Sequence, residues 1–111
     1  MSYAIAVRIP PGKTEAVRHL FAESLGPRKA EYADLQRRSG ITDEAYWLQT
    51  DADGDLLIVI SNRDQDAFME IMGTPQTDFD CWFRDQMQEV FAFDLNAPPG
   101  PINELLGRWP A

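Results

Sequence analysis

Few residues in this chain are equipped for chemistry, and their spacing narrows the choice further. Asp51, Asp53 and Asp55 alternate around Gly54, and three carboxylates so arranged invite a calcium reading. They match the first three ligand positions of an EF-hand loop. The glycine, however, falls at the fourth place rather than the sixth, and the twelfth place holds Asn62 instead of a bidentate glutamate. A hairpin turn accounts for the same residues better, because Asp and Gly supply turn geometry. His19 is the only histidine and Cys81 the only cysteine. Any Ser-His-Asp or Cys-His arrangement would have to use His19. Helical spacing sets it on the solvent side, away from Val17, Leu20 and Phe21. Cys81 has no second thiol or imidazole near it in sequence with which to hold zinc. It lies near a helix start, where the dipole lowers a thiol pKa, but its acidic neighbours work the other way. It reads as inert.

The remaining candidates suit binding. Arg8 shares a strand face with Ala4 and Ala6, whose small side chains leave room for a guanidinium to hold a carboxylate or phenolate. The plainer reading of Arg8 is a strand-end arginine reaching water or a partner acid. Tyr46, Trp47 and Gln49 are candidates to line a pocket for an aromatic or apolar ligand, and Trp82 joins them only if a cavity lies beside it. Core and interface packing is the plainer reading of all the aromatic ones. Carboxylates are abundant, yet no pair is placed for acid–base work.

A β-hairpin has to position most of these residues. Ala45–Thr50 and Leu56–Ile60 read as strands, and Asp51–Gly54 as the turn between them. That turn sets Thr50 opposite Asp55, Gln49 opposite Leu56, Leu48 opposite Leu57, Trp47 opposite Ile58 and Tyr46 opposite Val59. Leu56-Leu57-Ile58-Val59-Ile60 is apolar without alternation, as expected of a central strand covered on both faces. Tyr3–Ile9 alternates, with Tyr3, Ile5, Val7 and Ile9 on one face, and Pro10-Pro11-Gly12-Lys13 ends it. Thr14 is a plausible N-cap for a helix with the stripe Val17, Leu20, Phe21 and Leu25. Gly26-Pro27 breaks that helix, and a second segment runs from Arg28 to Arg38 with Tyr32 and Leu35 inward. Ser39-Gly40 stops it.

After the hairpin, Asp64–Met72 reads as a short helix burying Phe68, Ile71 and Met72. Thr77 caps a longer one, on which Phe79, Trp82, Phe83, Met87, Val90 and Phe91 form a wide apolar face. Asp78 and Asp80 suit its first turn. Ala97–Pro101 reads as an extended connection, and Ile102–Trp109 as either an edge strand or a short helix.

Composition bounds the function. At 111 residues, with 44% hydrophobic and 25% charged content, the chain is expected to be one soluble domain over residues 1–111. Such a length buries roughly 65% of the unfolded surface, enough for an ordinary core. A net charge of −8 disfavours nucleic acid and anionic membrane surfaces as partners. No apolar run approaches a membrane span. A single cysteine precludes an intramolecular disulfide and fits a reducing, cytoplasmic compartment. The first residues read as a strand and not as a signal peptide.

The order strand–helix–strand–strand–helix, with a possible last strand, is that of a ferredoxin-like α+β sandwich. Its four-stranded antiparallel sheet would carry helices on one face only. The other face would expose Ala4, Ala6, Trp47, Leu56, Ile58 and Ile60, a patch seldom left in water and most simply covered by a second copy. The opening strand with Pro11-Gly12-Lys13, the first helical stretch ending at Gly40-Ile41, the pair Tyr46-Trp47 and the helix around Phe79, Trp82 and Phe83 together resemble the dimeric α/β-barrel proteins, in particular their small uncharacterised branch. The resemblance covers most of the chain and rests on pattern. It implies a homodimer and a cavity, either between sheet and helices or between the two sheets. That superfamily includes cofactor-independent monooxygenases, lactone isomerases and haem-degrading enzymes. The haem-degrading members use a histidine on the second long helix, and Asp78–Ala92 has none. The expectation is therefore a dimer binding a small apolar or aromatic molecule without metal, haem or other cofactor. The alternatives are an oxygenase or isomerase of the same shape, and a structural or regulatory dimer without ligand.

Overall fold

The computed structural model describes residues 3–92 and 103–110. Three strands and four helices follow in the order β1 (Tyr3–Arg8), α1 (Thr14–Leu25), α2 (Lys29–Arg38), β2 (Glu44–Asp51), β3 (Gly54–Ser61), α3 (Gln65–Gly73) and α4 (Asp78–Phe91). The sheet is antiparallel with β3 in the middle, flanked by β1 and β2. The continuous apolar run therefore does occupy the central strand. Every cross-strand pair expected of the hairpin is present, from Tyr46 opposite Val59 to Thr50 opposite Asp55. Register follows from the turn: Asp51 Oδ1 accepts from Asp53 N at 2.8 Å, and Gly54 takes a φ of 123° that a side chain would resist.

Helix boundaries follow local chemistry. Gly26 lies where a Cβ would stand 2.7 Å from the Ala22 carbonyl oxygen, so the chain can fold back closely there. The Ser39 hydroxyl donates to Leu35 O at 2.8 Å, and Gly40 takes a left-handed φ of 71° to end α2. Asp64 Oδ1 accepts from Asp66 N and Ala67 N at the head of α3, and Thr77 Oγ1 accepts from Asp80 N at 3.0 Å at the head of α4. Asn62, just past β3, accepts from Thr42 N and Asp43 N at 3.0 and 3.1 Å. That clamp fixes where β2 begins.

Two expectations for α1 are corrected. Thr14 does not cap the helix; Lys13 stands at the cap without a side-chain bond, and the Thr14 hydroxyl instead donates to Asp55 Oδ2 at 2.6 Å. Asp55 also accepts from the Thr50 hydroxyl at 2.7 Å, so one carboxylate ties the start of α1 to the hairpin. Leu25 is exposed and Ser24 is buried in its place. The buried line is Val17, Leu20 and Ser24, which repeats at three and four residues and leaves Leu25 about 100° off its axis.

The core forms two joined clusters on one face of the sheet. One is aromatic and gathers Leu20, Tyr32, Leu35, Phe68, Phe79 and Phe83 from all four helices. The other joins Ile9, Val17, Leu57, Val59 and Val90. The opposite sheet face carries rows set by register: Ala4–Ile60–Ala45, Ala6–Ile58–Trp47 and Arg8–Leu56–Gln49. Trp47 is 52% exposed there. Residues 103–110 form neither strand nor helix, so the proposed last element is not seen in them; Asn103 does reach β1, donating from Nδ2 to the Ala4 carbonyl. The expected extended connection at Ala97–Pro101 lies outside the described residues.

A buried ion pair ties the helices together. Arg38 on α2 donates two bonds to Asp80 on α4, at 2.9 and 2.7 Å, and Asp80 has no exposed surface. Asp80 Oδ2 also accepts from Gln76 N at 3.0 Å, and Arg38 Nε donates to Asp34 Oδ2 at 2.9 Å. Asp80 is thus far more than a first-turn acid complementing the helix dipole.

Candidate functional site

A cavity of about 330 Å³ opens between the end of α1, the length of α2 and the start of β2. Its apolar walls are Leu25, Ala33 and Ile41, and its polar walls are Ser24, Lys29, Tyr32, Gln36, Thr42, Asp43, Glu44 and Tyr46. The local folding reasons are direct. The break at Gly26 lets α2 turn back beside α1, and the Asn62 clamp brings β2 in at Glu44. Alternation along β2 then aims Glu44 and Tyr46 at the same side, under α2.

A chain of hydrogen bonds runs along this wall. The Tyr32 and Tyr46 hydroxyls lie 2.5 Å apart, and Tyr46 donates onward to Glu44 Oε1. Gln36 Nε2 donates to the same Glu44 oxygen at 2.9 Å and approaches Tyr46 Oη at 3.4 Å. The other Glu44 oxygen faces Arg63 Nε at 3.6 Å, an ion pair too long for a hydrogen bond, and both side chains are largely buried. Arg63 in turn lies over the rings of Tyr3 and Phe68, at 4.4 and 4.5 Å. Burial pushes both phenols above the ordinary tyrosine range; for Tyr46 the neighbouring Tyr32 and Glu44 push the same way. Both remain protonated through neutral pH.

Two atoms of the wall lack a hydrogen-bond partner: Ser24 Oγ, and the Glu44 Oε2 that faces Arg63. Ser24 Oγ is fully buried and makes no hydrogen bond. A serine in a helix ordinarily returns a bond to the carbonyl four residues back or reaches solvent. An unpaired buried hydroxyl costs on the order of 1–3 kcal/mol.

The residues singled out from sequence do not form one site. Arg8, Trp47 and Gln49 share the open sheet face, and Arg8 Nη1 meets Asp51 Oδ1 at 3.4 Å. Tyr46 points the other way and is the only one of the five in the cavity wall. Trp82 packs on Phe79 with ring centres 5.4 Å apart, and the Arg28 guanidinium covers it at 4.5 Å. The Arg28 guanidinium thus stacks on one face of the Trp82 ring. Sequence reading missed Ser24, Tyr32, Gln36 and Glu44. The available signal was Glu44: a charged residue two places before Tyr46 on the inward side of a strand needs a buried partner.

His19 is exposed, as its helical position implied. Cys81 is half-buried and free. Among the described residues no group of histidine, cysteine or carboxylate side chains is arranged to hold a metal ion, and no helix is long and apolar enough to cross a membrane. Another cavity, of about 450 Å³, lies beside Arg38, Glu70 and Gln76, but its guanidinium is already committed to Asp80 and Asp34. A scan of family models, a search of curated proteins and a search of solved structures each return no match to this chain.

Proposed function

We propose that this protein is a homodimeric binder of a small molecule with an apolar or aromatic body and one polar head, held in the cavity between α1, α2 and β2. The observation that carries the reading is Ser24: a fully buried hydroxyl without a partner, in the wall of a cavity large enough for a single aromatic ring with substituents. The apolar body lies against Leu25, Ala33 and Ile41, and the head meets Ser24 and the tyrosines. Metal and haem have no part in this reading. The cell compartment it fits is a reducing one such as the cytoplasm.

The experiment is a fragment titration of isotope-labelled protein followed by NMR, paired with Ser24→Ala. We expect shifts confined to α1, α2 and the start of β2. We also expect opposite signs from the variant: a gain of about 1 kcal/mol in stability, from losing an unpaired buried hydroxyl, and weaker fragment binding. A loss of stability, or fragments that leave those signals unmoved, overturns the binding reading.

The dimer is proposed through the open sheet faces, in the manner of the dimeric α/β-barrel proteins the sequence resembles. Trp47, Leu56, Ile58 and Ile60 support it as a contiguous apolar face set by register. Leu106 and Trp109, 91% and 94% exposed, add apolar surface nearby in sequence to Asn103. Among the described residues the strand order β1-β3-β2 leaves the outer edge of β1 without a paired strand, which is where the fourth strand of a ferredoxin-like sheet would lie. Sedimentation equilibrium should give a dimer at micromolar concentration, and Ile58→Glu should give a folded monomer. A monomeric wild type sinks the interface. An enzymatic reading, as an isomerase or cofactor-independent oxygenase, is favoured by one feature: the hydroxyl chain from the cavity wall to a carboxylate.

A further inference from the structure

The hydroxyl chain has a direction, and that direction selects the ligand. The bond between Tyr46 and Glu44 runs from the tyrosine hydroxyl to Glu44 Oε1, so it uses the Tyr46 hydroxyl proton. Each tyrosine has one such proton. The 2.5 Å contact between the phenols must then be filled by the proton of Tyr32, donated to Tyr46 Oη. Gln36 Nε2 is a donor and can only reinforce this order, since it points its protons at Glu44 and Tyr46. Tyr32 is left with no proton for the cavity, and among the described residues nothing donates to its oxygen.

We infer that the cavity presents an acceptor, Tyr32 Oη, and is therefore selective for ligands whose polar head donates a hydrogen bond: neutral phenols, alcohols or N–H groups in preference to carboxylates. This rests on the binding reading given above and adds to it the chemical class of the head group. Ser24 can give or take a proton, so it accompanies either kind of head and does not decide between them. The charged residues of the wall are Lys29, Asp43 and Glu44, and Glu44 is itself paired with Arg63, so the selectivity is carried by the lone pairs of Tyr32 Oη and not by net charge.

The test compares phenol and benzoate, two probes of similar size and opposite head-group character, titrated into the full-length labelled protein and followed by NMR. Wild type should bind phenol at least about tenfold more tightly than benzoate, the worth of one well-placed hydrogen bond against a repelled one. Tyr46→Phe frees the Tyr32 proton to point into the cavity, and should reduce or reverse that preference. Glu44→Gln removes the fixed end of the chain and should do the same, which keeps the test open if one variant does not fold. Benzoate binding as tightly as phenol to wild type overturns the inference while leaving the binding reading intact. A preference unchanged in every folded variant also overturns it, because the chain then does not set the selectivity. Failure of both probes to move the α1, α2 and β2 signals sinks the binding reading, and the inference with it.

Discussion

Replacing Arg38 with alanine will cost the fold about 3–5 kcal/mol, the usual price of leaving a buried charge uncompensated. Asp80 is wholly inaccessible and takes both terminal nitrogens of Arg38. With the guanidinium gone, the carboxylate keeps Gln76 N–H and the cap geometry of Thr77 but loses its counter-charge. The loss should depend on pH, and its sign is fixed. Burial by itself would raise the Asp80 pKa, but the bonds from Arg38, Gln76 and Thr77 outweigh it and hold the carboxyl below its ordinary range. A depressed carboxyl contributes stability that is present above the unfolded pKa, near 3.9, and is lost as pH falls through the folded value. In Arg38→Ala burial dominates and the carboxyl is raised instead, so the variant regains stability when that group is protonated. The difference between wild type and variant, read from urea melts, should therefore be largest at neutral pH and shrink below about pH 4. A difference independent of pH would show that Arg38 acts by packing alone. Exchanging both partners for apolar residues of similar size, Arg38→Met with Asp80→Leu, should recover part of the loss, because no charge is then left buried.

Phe79→Ala should cost a similar amount, about 3–5 kcal/mol. Among the described residues Phe79 is the largest fully buried side chain, and it sits between Tyr32, Trp82 and Phe83, with ring centres 6.1, 5.4 and 5.9 Å away. Truncation removes these ring contacts and the support beneath Arg28, whose guanidinium stands 4.9 Å above the ring. The void would form directly behind Tyr32. Thermal unfolding should show the loss as a lowered midpoint, and the fragment affinity of the cavity should fall with it as Tyr32 loosens. A variant with wild-type stability would mean that the aromatic cluster closes over the gap, contrary to the close packing of rings from α2 and α4.

These two residues mark the boundary of what local pattern reveals. The hairpin was legible in full because one turn, Asp51–Gly54, determines every pair along both strands, and side-chain alternation then assigns each face. The central place of β3 was legible because five apolar residues in a row, without alternation, are expected of a central strand and not of an edge one. Asp80 was legible as a helix-start acid, since that role depends on neighbours in sequence. Its pairing with Arg38, 42 residues earlier, depends on how α2 crosses α4, and no spacing rule carries that. The site followed the same division. Tyr46 and Trp47 are adjacent in sequence and both aromatic, which suggests a shared pocket, but a strand sends adjacent side chains to opposite faces. Tyr32 was legible as a core position on α2; that its hydroxyl meets Tyr46 depends on the tertiary approach of α2 to β2. Ser24 was hidden by Leu25, because an apolar residue at the end of a stripe draws the eye from a polar one at the better angle.

All the residues lining the α1–α2–β2 cavity fall in one unbroken run of chain, from Ser24 to Tyr46. The sheet face proposed for the dimer draws instead on β1, β2 and β3, and overlaps that run only at its end. The cavity is therefore close to a cassette. Exchange of that one short segment would change the proposed head-group preference and the pocket shape together, provided it keeps Arg38, which lies inside the run and anchors it to Asp80 on α4, while most positions of the sheet face proposed for the dimer lie elsewhere in the chain. On the proposed reading, a lineage of this architecture would change what it holds more readily than what it docks against.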